Sequence, residues 1–110
     1  MAHYLVRAQP KPGRLPRLSE LVGQDAFIHL RPFGRALTNS LSRARLDKDE
    51  TAVWEEEDYC LPPLAQERAA VLDEYFDQIE VERADPGEGW RRIAGLPALL
   101  PGAQAGRPPT

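Results

Sequence analysis

The sequence predicts a small α+β two-layer sandwich, on three observations. Short runs with alternating apolar and polar residues recur within the first 84 positions. Among them lies a long apolar stripe at helical spacing, from Leu64 to Phe76. The 110 residues are 42% apolar and 28% charged, which suits one globular domain with its own core.

The elements follow in order. His3 to Gln9 reads as a strand: Tyr4, Val6 and Ala8 alternate with His3, Leu5 and Arg7, and prolines at 10 and 12 end the run. From Leu15 to Leu30 the apolar residues recur every three or four positions, which predicts an amphipathic helix with Gly23 as its weak point. Arg35 to Leu46 fits two readings. Phe33, Leu37, Leu41 and Ala44 have helical spacing, whereas DKDE at 47–50 has the length of a hairpin loop that would make the segment a strand. Thr51 to Cys60 reads as a strand through Val53, Trp54 and Tyr59. Pro62-Pro63 suits the first turn of a helix. Leu64, Arg68, Val71, Leu72, Tyr75 and Phe76 then form the apolar stripe, with Gln66, Glu67, Asp73 and Glu74 around the remainder. Gln78 to Ala84 alternates again and predicts a half-buried strand. With a strand at 35–46 the order is the ferredoxin-like βαββαβ pattern. With a helix there it is a three-stranded variant with an extra helix. Residues 1–84 form the expected single domain, 85–100 an apolar C-terminal arm that packs on the domain or on a second copy, and 101–110 a disordered tail.

The strand at 51–60 poses the functional question, because Glu55, Glu56, Glu57 and Asp58 occupy its middle. Alternation puts Trp54, Glu56, Asp58 and Cys60 on one face and Val53, Glu55, Glu57 and Tyr59 on the other. Neither is a clean core face. In one reading the acids pair with Arg7, Arg43, Arg45 or Arg83 on neighbouring strands. In a second they form a partner surface. In a third two of them, about 6.6–7 Å apart along one face, bind a hard cation or do acid–base chemistry. Cys60 sits between a strand and a helix N-terminus, which favours a thiolate, while Glu57 and Asp58 oppose it.

Other chemistry is thin. With only His3, His29 and Cys60 available, no zinc-type Cys/His spacing exists, and neither a glycine-rich phosphate loop nor a Ser/His/Asp signature is found. No metal or cofactor is assigned. The opening MAHYLVRAQPKPGR has no signal-peptide pattern, and no apolar run approaches a membrane span of roughly 20 residues. A single cysteine fits a reducing cytosol, so the expected location is cytoplasmic. Residues 1–48 carry nine basic and three acidic residues, net +6; the rest carry five and fourteen, net −9. Neutralisation inside one fold makes nucleic acid an unexpected partner.

The expected function is therefore non-catalytic binding of another protein, a second copy included, through a surface of Trp54, Glu55, Glu57, Tyr59 and Trp90. The alternative is a small α+β enzyme or ligand-binding protein. Its pocket would use Trp54, Glu56, Asp58 and Cys60, with Tyr4 and His29 as further candidates. Glu56, Asp58, Cys60 and His29 are the catalytic candidates.

Overall fold

A computed structural model describes residues 2–105. Four strands form one antiparallel sheet in the order β2-β3-β1-β4: β1 Ala2–Pro10, β2 Arg45–Leu46, β3 Ala52–Asp58 and β4 Phe76–Ala84. The helices are α1 Leu15–Gly23, α2 Gly34–Ser42, α3 over 65–75, α4 Glu88–Ile93 and α5 Pro101–Ala105. Helix α3 is α-helical at Ala65–Glu67, widens into a π turn at Arg68–Leu72 and closes as α-helix at Asp73–Tyr75. The molecule is an α+β domain with a radius of gyration of 12.7 Å, near the roughly 13 Å of a one-domain chain this long.

The alternation read from sequence fixes the two sheet faces. Val6 pairs with Trp54 across β1 and β3, and both point into the main core with Ala8 and Ala52. Leu18 and Val22 of α1, Leu37 and Leu41 of α2, and Val71, Leu72 and Tyr75 of α3 close that core. The rings of Trp54 and Phe76 meet at 5.3 Å between centroids, tilted by 48°. The opposite face carries a smaller cluster of Leu5, Val53 and Ile93, bordered by Trp90 and Leu96. Helix α4 thus adds a short third layer to the expected two.

The structure departs from expectation where local chemistry was ambiguous. The first helix ends at Gly23, and turns fill 24–33. The segment 35–46 divides: its apolar spacing makes α2, and only Arg45–Leu46 joins the sheet, beside a further bridge from Arg45 to Ala98. Pro62-Pro63 does not open α3. Leu64 intervenes with a left-handed φ of 64°, and the helix starts at Ala65. The β4 strand follows α3 directly at Phe76 and is mostly exposed as an edge, with Val81 38% accessible. Within the expected disordered tail, Pro101–Ala105 is helical, because Ala103 is buried against α1. Residues 106–110 lie outside the described residues. No helix among the described residues is long and apolar enough to cross a membrane.

Candidate functional site

The acid run of β3 divides between the two faces as the alternation requires, and each carboxylate meets a different environment. On the α4 face Glu55 accepts from the Gly87 N–H at 2.9 Å, the Gly89 N–H at 2.8 Å and the Trp90 N–H at 3.3 Å, with His3 Nδ1 at 3.2 Å. It caps the start of α4 from another strand and ties the C-terminal arm to the sheet. Burial pushes its carboxyl up, but these donors outweigh burial and hold it below the ordinary range. Glu57 is half-exposed, 3.8 Å from His3 Nε2.

The helix-covered face is different. Glu56 is 1% exposed and accepts from Trp54 Nε1 at 3.1 Å. Among the described residues its Oε2 has no partner at hydrogen-bonding geometry, although the Ser40 hydroxyl nearby favours the charged form. Burial, then the charges of Glu67 and Asp58, push Glu56 far above the usual carboxylate range. Asp58 Oδ2 accepts the N–H of Leu64 at 2.6 Å and of Cys60 at 3.0 Å, which pins the connection into α3 and compensates the left-handed Leu64. Burial raises Asp58, but the Leu64 N–H, Glu67 and the Cys60 and Tyr59 N–H groups bring it below its ordinary value. Glu67, from the first turn of α3, is fully buried, and neither oxygen has a hydrogen-bond donor among the described residues. Burial and the adjacent Asp58 push it up to about 7.

These groups meet at an open pocket of about 510 Å³. Its buried members are Asp58 and Glu67, with Cys60 half-buried; Phe33, Pro32 and Ala36 supply an apolar wall, and Glu57, Tyr59 and Gln66 complete it. One ligand atom each from Asp58, Cys60 and Glu67 lies within 4.8 Å of the others. The arrangement is an anionic floor under an apolar wall, in the size range of small-molecule sites. It can receive positive charge, or pass a proton between two carboxyls of unequal acidity.

Of the sequence-derived candidates, Asp58 and Cys60 line this pocket and Glu56 stands behind it. His29 does not: it is exposed on the turns between α1 and α2. Trp54 and Glu55, expected on a partner surface, are instead buried on opposite sheet faces, while Trp90 is half-buried under Arg43, whose guanidinium lies 4.1 Å from the ring centre. Tyr4 is half-buried against the main core. The expected arginine partners are engaged elsewhere: Arg45 donates to the Leu96 carbonyl at 2.6 Å, and Arg7 lies 3.9 Å from Asp47. Glu67 was missed, although it stands three residues after Leu64 and four before Val71, on the apolar stripe itself. No protein-family model, no curated protein and no solved structure matches this chain.

Proposed function

We propose that this chain is a small, non-catalytic binding protein whose pocket beside the end of β3 receives a positively charged ligand. One observation carries the reading: Glu67 is a fully buried carboxyl with no hydrogen-bond partner among the described residues, and it lines an open pocket. A buried charge without a partner is costly, so such a group persists where a ligand completes it. The apolar wall of Phe33, Pro32 and Ala36 suits the body of a small organic cation, and Asp58 adds a second negative group. The strand order, with every neighbouring pair antiparallel, supports a ferredoxin-like frame with an extra helix in the first crossover. The single thiol of Cys60 supports a cytoplasmic setting.

Acid–base catalysis is the second reading. Asp58 held low and Glu67 held near 7 in one pocket are the acidities of a base and an acid working together. Self-association retains less support, because the apolar arm packs inside the chain; Tyr59 and Leu61, 75% and 95% exposed, are the groups that still favour it. Calorimetric titration with 2-phenylethylammonium tests the main reading. Saturable binding at one site, lost in Glu67→Gln, is expected. Binding unaltered in that variant would place the cation elsewhere and overturn the reading. Conversion of the bound compound would favour the catalytic alternative.

A further inference from the structure

We infer that the floor of this pocket is a site for a divalent transition-metal ion of the zinc type, held by Asp58, Cys60 and Glu67. The inference rests on the pocket being a receptor for positive charge and names the cation. Four observations carry it.

The first is proximity. The three ligand atoms already lie within 4.8 Å of one another. Tetrahedral zinc, with bonds of roughly 2.0–2.3 Å, sets its ligand atoms about 3.3–3.8 Å apart. The present separations exceed that range by about 1.5 Å at most.

The second is orientation. Asp58 Oδ2 accepts the Cys60 and Leu64 N–H groups, which fixes the carboxylate beside the pocket. Outer hydrogen bonds of this kind hold a ligating carboxylate in place. The same two bonds fold residues 59–64 so that Cys60 returns beside the strand end.

The third is the unmet need of Glu67. It is fully buried, and neither of its oxygens has a hydrogen-bond partner among the described residues. A proton shared with Asp58 would employ one of its oxygens, leave the other and make no use of the thiol. A cation engages all three side chains at once. Glu56 stands buried behind them and does not need to ligate.

The fourth is the donor chemistry. Two carboxylates alone would suit calcium or magnesium, but a thiolate selects a softer ion. Three protein ligands leave a fourth position, and all three residues line the open pocket, from which a zinc site could admit a further molecule. On binding, the thiol proton and any proton on Glu67 pass to solvent.

The test is titration of the full chain, first stripped with chelator, with Zn²⁺ and with Co²⁺. One ion per chain should bind, and calcium or magnesium should not displace it. The cobalt complex should show a near-ultraviolet sulfur-to-metal charge-transfer band and a tetrahedral visible spectrum. Cys60→Ser should abolish the band, and Glu67→Gln should weaken zinc binding by roughly tenfold or more. Circular dichroism establishes that both variants fold, and zinc should raise the melting temperature of the parent more than that of either variant. Zinc affinity unchanged in both variants, or a cobalt complex without the thiolate band, would overturn the assignment. If 2-phenylethylammonium binds and neither metal does, the metal site is wrong and the pocket reading stands; if neither class binds, both are wrong.

Discussion

Glu55 and Glu67 are both buried, yet of the two only the Glu55 carboxylate meets hydrogen-bond donors among the described residues. Glu55 accepts three backbone N–H bonds, so Glu55→Gln should lower stability by about 1.5–3 kcal/mol in urea denaturation at neutral pH. The pH dependence has a definite sign. The folded carboxyl is held below the ordinary glutamate value of 4.5. Its stabilisation is therefore present above that value and is lost as pH falls through the lowered one. The gap between parent and Glu55→Gln should close on acidification; a gap independent of pH would show that the charge is not what holds the arm. Glu67 has no hydrogen-bond donor among the described residues, so in the presence of chelator Glu67→Gln should be more stable than the parent at pH 8, by about 1–3 kcal/mol. A less stable Glu67→Gln would mean that the carboxylate is structurally satisfied. Alternation alone was enough to put Glu55 and Glu56 on opposite faces. It carried no sign of the donors, because the N–H groups of 87–90 leave no trace in side-chain identity.

At the scale of elements, helix α3 shows how a site residue can hide in a pattern. Leu64, Glu67 and Val71 share one stripe at spacings of three and four, yet a carboxylate there invites assignment to the polar side. The π turn at Arg68–Leu72 then shifts the phase by about one residue, so Arg68, read as part of the stripe, is exposed while Val71, Leu72 and Tyr75 stay buried. Similarly, both readings of 35–46 held part of the answer. The apolar spacing governs Gly34–Ser42, and the two residues beside the DKDE turn reach the sheet. Helix α2 is positioned through close backbone approach at its first residue. A methyl group on Gly34 would be driven into the Phe27 carbonyl oxygen and within 3.0 Å of the Ile28 backbone. Because backbone cannot rotate away, Gly34→Ala should lower stability by at least the roughly 1–3 kcal/mol of an overpacked site. It should also distort the pocket wall at Phe33, which thermal unfolding and ligand titration of the variant would register. Parent-like values for both would show that the 27–28 turn yields freely.

For the whole molecule, the charge asymmetry becomes a matter of sheet order. β1, from the basic half, lies between β3 and β4, the two acidic strands, and Lys11 approaches Asp77 at 3.8 Å. The C-terminal arm completes this arrangement. Ile93 covers Leu5 and Val53 on one face, Leu99, Leu100 and Ala103 enter the main core, and the Leu99 N–H bonds the Ala44 carbonyl at 2.8 Å beside the short β2 edge. Ending the chain at Ala84 would remove all of these. Burial of one large apolar side chain contributes about 1.5–3 kcal/mol, and Ile93, Leu99 and Leu100 are three. Glu55 would also lose its backbone donors and become a stranded carboxylate beneath an uncovered sheet face. Against a total stability of about 5–15 kcal/mol, losses of that size should leave residues 1–84 marginal or unfolded. The truncated chain should lack the near-ultraviolet dichroism of a packed Trp54 and show no cooperative melt. A sharp melting transition in the truncated chain would mean that residues 1–84 fold without the arm and that α4 is an addition to a complete domain.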